Sequence, residues 1–181
     1  MTWPLPCCSS RRTSAPAPNA RSIDVNLVIV GKEGWVGLPD DQRRTIPTIV
    51  TTLRKHSQLG KRLFWLEGIS DEYLERVYDT SACLIAASED EGFGLPLIEA
   101  AQHKLPILAR DIPVFREVAG EHAYYFSGDK AGDLALAVQA WLKLHGEGRV
   151  PTSETKPWLT WKQSTARLLQ IILDGEWEMR I

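Results

Sequence analysis

Cysteine is scarce in this chain of 181 residues: there are three, and two of them, Cys7 and Cys8, are adjacent. That leaves no disulfide framework and no C-x-x-C pair for zinc, and points to a reducing, cytoplasmic setting. An excess of either charge is also lacking, since 21 Lys and Arg stand against 23 Asp and Glu for a net charge of −2. Proteins that bind nucleic acid usually carry a basic face, so nucleic acid is not an expected partner. No apolar run approaches the roughly 20 residues that a membrane span needs. His56, His103, His122 and His145 are scattered without ligand spacing, and neither H-E-x-x-H nor D-x-D occurs, so no metal site is expected. What remains is an ordinary globular composition, 44% apolar and 24% charged, of a size for one domain plus a tail.

Residues 1–22 differ from the rest. They hold four of the eleven prolines and no acidic residue, and they contain no apolar stretch of the length a signal peptide uses. They read as a disordered or non-native tail. Beyond them, strand and helix patterns alternate. Val25–Val30 is a β-branched apolar run that reads as a buried strand, followed by a helix over Thr45–His56 with Ile49, Val50 and Leu53 on one face. Strands follow at Arg62–Leu66, Ala82–Ala86, Pro106–Ala109 and Ala123–Phe126. Between the first two of these, Ser70 caps a helix striped by Tyr73, Leu74, Val77 and Tyr78. An amphipathic helix spans 130–145, a polar stretch interrupts, and a last helix runs from about Leu159 to Leu173. The expected organisation is a tail (1–22), a Rossmann-like domain (23–145), a linker (146–157) and a C-terminal helix (158–181). Short strands apolar on both faces, alternating with helices, predict an α/β fold with a parallel, doubly wound sheet.

The chemistry sits in Ser88–Gln102, SEDEGFGLPLIEAAQ, which leaves a strand and enters a helix near Pro96. Ligands of open α/β sheets bind at that end of the strands. Gly92 and Gly94 let backbone N–H groups approach a ligand closely, and a helix N-terminus favours phosphate. Glu91 and Glu99 are poorly placed to meet phosphate but suited to accept hydrogen bonds from sugar hydroxyls. One loop thus offers donors for a diphosphate and acceptors for a sugar, which suggests a nucleotide-sugar. On spacing alone the segment reads equally as a tight turn with solvated carboxylates.

EGFGLPLIEA, as an E-x7-E element between strand and helix, resembles the donor-site signature of family 4 retaining glycosyltransferases of the GT-B fold. The resemblance runs over roughly residues 24–126, through LVIVG, RLFWLEGISDEYLERVY and HKLPILARDIPVFREVAGEHAYYF, and extends to Trp161. It implies that Glu91, the expected catalytic residue, meets hydroxyls of the donor sugar and Glu99 those of the ribose. Gly92, Phe93, Gly94 and Leu95 would hold the diphosphate and sugar. Gly31, Lys32, Leu66 and Ile69 would flank the base. No cofactor or metal is implied beyond the donor substrate, GDP- or UDP-linked, with mannose the first expectation by the same resemblance. The implied product is a surface polysaccharide or lipopolysaccharide.

The chain also departs from that family. A whole enzyme has two such halves, and only the donor-binding half is recognisable here, so an N-terminal acceptor domain is the missing partner. The half would also lack its first, central strand, whose loop carries basic residues for the diphosphate. An exposed central edge invites pairing between copies, hence a homo-oligomer. The expectation is therefore a chain inactive alone, cytoplasmic or peripheral to the inner membrane within a full-length enzyme. A non-catalytic nucleotide-binding module is the alternative. An NAD(P)-linked fold fits poorly, since no G-x-G-x-x-G follows the first strand. Phe93 is expected to pack and shape its loop, and Trp35 is a candidate contact for base or sugar.

Overall fold

A computed structural model describes residues 25–34, 37–43 and 45–174. The tail expectation for 1–22 and the Trp35 contact lie outside these residues. The chain divides into two compact units, Met1–Ala82 and Cys83–Ile181, each described by itself.

In the first unit, β1 (Leu27–Val30) pairs in parallel with β2 (Leu63–Leu66), with Leu27 opposite Leu63 and Val30 opposite Leu66. A 3-10 turn at Asp40–Gln42 and helix α1 (Ile46–Lys55) connect them. Pro47 suits the first turn of α1, and Arg54 and Lys55 complement the dipole at its end. Val50 and Leu63 form the buried apolar centre, at 7% and 6% exposure. Helix α2 (Asp71–Thr80) starts where Ser70 Oγ accepts the Tyr73 N–H at 3.3 Å, with Asp71 and Glu72 in its first turn.

Two expectations fail in this unit. Strand β1 was expected to be buried, yet Leu27, Val28 and Val30 are 44%, 39% and 39% exposed. The reason is that β1 has a ladder on one side only, against β2, among the described residues. Ile49 was placed on the inward face of α1 and is instead exposed, because the unit buries that helix mainly through Val50.

In the second unit, β3 (Leu84–Ala86), β4 (Ile107–Arg110) and β5 (Ala123–Phe126) form a parallel sheet in the order β3-β4-β5. Parallel strands need crossovers. These are α3 (Leu95–Gln102) and α4 (Pro113–Ala119), and α5 (Ala131–Gly146) follows β5. The central strand β4 is sealed on both faces, with Ile107, Leu108 and Ala109 at 1% exposure or less. Leu108 packs with Phe126 and with Ala137 and Trp141 of α5. Ile107 and Ala109 point to the opposite face by the two-residue strand period. Helix α4 was not expected. It is seven residues long, too short for a clear helical period, and starts at Pro113.

Among the described residues the strands form two ladders, β1-β2 and β3-β4-β5. The segment read as a polar linker is packed. Ser153 is fully buried and donates its hydroxyl to the Leu105 carbonyl at 2.8 Å, while Lys104 and Glu154 pair at 2.6 Å across the same strap. Helix α6 (Trp161–Asp174) follows it, with Trp161 and Leu173 about four-fifths exposed. Among the described residues, no helix is long and apolar enough to cross a membrane.

Candidate functional site

The second unit presents its candidate site at the carboxyl end of β3. Gly94 caps α3 in the left-handed region, at φ 77°. A Cβ there would lie 3.1 Å from Phe115 Cε1, a ring that is 1% exposed, so both backbone and packing call for glycine. Gly92 differs, since nothing lies within 4 Å of a Cβ built on it and its surroundings are open to a ligand. The Gly94 carbonyl accepts the Leu97 N–H at 3.0 Å and Pro96 has no N–H. That leaves the N–H groups of Gly92, Phe93, Gly94 and Leu95 without an acceptor among the described residues. Four such donors at a helix start form a receptor for anionic oxygen.

Glu91 is exposed and oriented. Ser88 donates its hydroxyl to Glu91 Oε1 at 3.1 Å, and the Glu91 N–H donates to Asp90 Oδ1 at 2.9 Å. A carboxylate held this way keeps lone pairs for hydroxyl donors. Glu99 sits half-buried on α3, one turn and more beyond the cap. Phe93 is 54% exposed and Leu95 45%, so the expected packing role of Phe93 is not met. Its loop is shaped by Gly94 against Phe115 instead.

Sequence reasoning assigned no role to the residues that close β4. Arg110 donates Nε–H to the Ala87 carbonyl at 3.1 Å, tying the end of β4 to the loop that carries Glu91, and its guanidinium lies 5.1 Å from the centre of the Phe126 ring. Asp111 receives Arg116 through two bonds of 2.7 and 2.8 Å. That hydrogen-bonded guanidinium holds the Asp111 carboxyl below the usual range. Arg116 also covers the Tyr125 ring at 3.8 Å, and the Tyr125 hydroxyl donates to the Gly120 carbonyl at 2.7 Å. The available signal was two charges directly after the apolar run ILA. Cys83 is no nucleophile, because burial pushes its thiol up to about 12.

The first unit brings Gly31, Lys32 and Leu66 to the carboxyl end of its own ladder, and Ile69 follows three residues after Leu66. The Gly31 N–H donates to the Leu66 carbonyl at 3.0 Å, and Trp65 Nε1–H donates to the Gly31 carbonyl at 2.8 Å. Gly68 takes φ 62°, and a Cβ on it would stand 3.4 Å from Lys32 Cε, so the Lys32 stem lies over this glycine. Glu33 is gripped by Arg43 and by Arg54, the latter at 3.0 Å, and the Arg43 hydrogen bond keeps its carboxyl below the usual range. The Glu33 N–H reaches Glu67 Oε1 at 3.3 Å.

Residues 15–155 match the family model of the glycosyl transferases group 1. The serotype-specific mannosyltransferase WbdA of Escherichia coli is 54% identical over 147 residues, which cover 81% of this chain and 17% of that protein. The O-antigen chain mannosyltransferase RfbU of Salmonella typhimurium is 38% identical over 72 residues, covering 40% of this chain and 20% of its own length. Sucrose-phosphate synthase of Thermosynechococcus elongatus superposes with a TM-score of 0.60 at 22% identity, over 83% of this chain and 39% of the other. Anabaena Alr3699/HepE, solved with UDP and glucose, gives 0.57 at 16% identity over 83% and 41%. Both likenesses speak to the fold alone. The chain thus spans about 17% of the length of the WbdA relatives it matches.

Proposed function

This chain belongs to the group 1 glycosyltransferases, and on that premise we propose that it is the donor-binding part of a retaining mannosyltransferase that takes the sugar from GDP-mannose. The acceptor is a growing saccharide of the bacterial surface. The reading draws on the mannosyltransferase relatives and on the chemistry of the loop after β3.

One observation carries it: the four open N–H groups of Gly92–Leu95 stand directly after an oriented carboxylate, Glu91. The N–H groups bind the diphosphate, and the same contacts stabilise the charge that gathers on it as the sugar leaves. Glu91 accepts hydrogen bonds from sugar hydroxyls and turns the hexose toward the acceptor. Glu99 accepts from the ribose diol. The acceptor site belongs to residues outside this chain, so the chain by itself has little turnover.

Calorimetric titration with GDP, UDP, dTDP and their sugars tests this, alongside Glu99→Ala. Binding of one nucleotide, weakened about tenfold or more by the substitution, is the expected result, given the strength of hydrogen bonds to a charged group. Binding of no nucleotide overturns the reading. Multiple turnovers by the pure chain would overturn the incomplete-enzyme part.

A further inference from the structure

The loop after β3 hangs from two separate anchors. Its far end is set by Gly94, whose left-handed backbone leaves no room for a Cβ above the buried Phe115 ring, and the N–H groups of Gly92–Leu95 go with that end. Its near end is set by Arg110. The backbone register of β3 with β4 stops at Ala86↔Ala109, and past it the Asp111 N–H turns to the Phe126 carbonyl of β5. The Arg110 side chain takes over where the backbone leaves off, giving its Nε–H to the Ala87 carbonyl at 3.1 Å. That donor is steadied in turn, because the guanidinium lies 5.1 Å from the centre of the buried Phe126 ring. The next residue, Ser88, is the one that donates its hydroxyl to Glu91 Oε1 at 3.1 Å. A buried ring, a guanidinium, a carbonyl, a hydroxyl and an exposed carboxylate thus follow one another in a single line within the second unit.

We propose that Arg110 is a positioning residue for the donor sugar: through Ala87 and Ser88 it holds the Glu91 carboxylate in the orientation that receives sugar hydroxyls. The inference rests on the donor-site reading above and gives a task to a side chain that touches no ligand. The physical case is preorganisation. A carboxylate that swings freely must be ordered when it takes up a hydroxyl, and that ordering is subtracted from the affinity. Glu91 is ordered beforehand, by Ser88 at one carboxylate oxygen and by Asp90 at its own N–H. Ser88 can do this only while its own backbone is held. The Ala87 carbonyl and the Ser88 N–H belong to one rigid peptide plane, so a bond on that carbonyl fixes the plane from which Ser88 departs. Arg110 acts on this end of the loop alone, since the donors for the diphosphate hang on Gly94 and Phe115. Sugar and diphosphate are therefore recognised by parts of one loop that are fixed independently. The role needs the N–H of Arg110 and not its charge.

The test is calorimetric titration of the full chain with GDP and with GDP-mannose, for the parent and its variants. Arg110→Met keeps an apolar stem over Phe126 and puts a methyl group where Nε stood. Arg110→Gln sets an amide nitrogen the same number of bonds from Cα as Nε, so it keeps a donor for the Ala87 carbonyl without the charge. Ser88→Ala cuts the line one step later. Arg110→Met and Ser88→Ala should each bind GDP as the parent does and lose about tenfold in affinity for GDP-mannose, while Arg110→Gln regains most of that loss. The two substitutions combined should bind GDP-mannose no more weakly than either alone, because both act along one line. Retained GDP binding shows that each variant is folded. Equal losses for GDP and GDP-mannose in Arg110→Met, an unchanged GDP-mannose affinity, no recovery in Arg110→Gln, or additive losses in the double variant overturns the inference while the donor site stands. If Arg110→Met does not fold, the other single variants decide: a loss for GDP-mannose in Ser88→Ala with parent-like binding in Arg110→Gln supports the role, and any other pattern overturns it. Failure of the parent to bind either compound overturns both readings.

Discussion

Replacing Gly94 by alanine is the sharpest probe of the candidate loop, because one methyl group meets two separate obstacles. The first is conformational. At φ 77° an L-residue occupies the left-handed region, at a cost of roughly 1–2 kcal/mol. The second is steric, since the new Cβ would sit 3.1 and 3.2 Å from Phe115 Cε1 and Cδ1. Phe115 is 1% exposed and has no free direction to move, so the crowding costs of the order of 1–3 kcal/mol more. At about 2–4 °C per kcal/mol for a chain of this size, the melting midpoint should fall by about 4–20 °C. Differential scanning calorimetry reads this directly. Gly92→Ala is the internal control, because nothing lies within 4 Å of its Cβ and its φ is not in the left-handed region. Its midpoint should stay close to the parent's, while nucleotide binding falls because the methyl occupies the approach of the ligand. Pairing Gly94→Ala with Phe115→Leu should return part of the steric loss and none of the conformational loss. A Gly94→Ala protein that melts at the parent temperature would refute the reasoning, and so would a double variant with no recovery.

The remaining predictions are simpler. The Asp111 pKa is lowered in the folded chain by its bond to Arg116, so the pair contributes stability above the ordinary Asp range and loses it as pH falls through the folded value. Asp111→Asn should therefore flatten the acid limb of the stability curve below about pH 4, measured by denaturant midpoints from pH 2 to 6. Ser153→Ala leaves the buried Leu105 carbonyl without its hydroxyl donor and should cost about 1–3 kcal/mol in chemical denaturation, whereas Ser153→Thr should retain part of the bond.

The strands of the second unit were legible because local pattern and burial agree there. ILA at the head of β4 is apolar in sequence and sealed in structure, and Ala123–Phe126 was located to the residue. The Gly-rich turn was legible because the left-handed requirement at Gly94 is a property of the residue itself. What failed depends on partners that no window of sequence contains. The LVIV of β1 looks like a core strand, and its exposure goes with a ladder on one side only among the described residues. Ser153 looks like a linker residue and is buried because Leu105, 48 positions earlier, offers it a carbonyl. Phe93 looks like a packing residue, but Phe115 from another helix already fills the space beneath the turn. Arg110 carried no local motif, since its meaning comes from reaching across to Ala87.

The strap over Leu105 also settles where this chain can be shortened. Val150 packs on the Leu108–Trp141 cluster, Ser153 satisfies a core carbonyl, and Lys156 is buried at 8% exposure, so the unit is still being closed ten residues after α5 ends at Gly146. A cut after Gly148 would strip the cover from Leu105 and leave its carbonyl facing solvent. A cut after Pro157 leaves the closure whole and removes only α6 and the segment leading to it. In a shortened or fused version of this unit, the seam belongs at residues 158–160, past Lys156, the last residue of the buried strap.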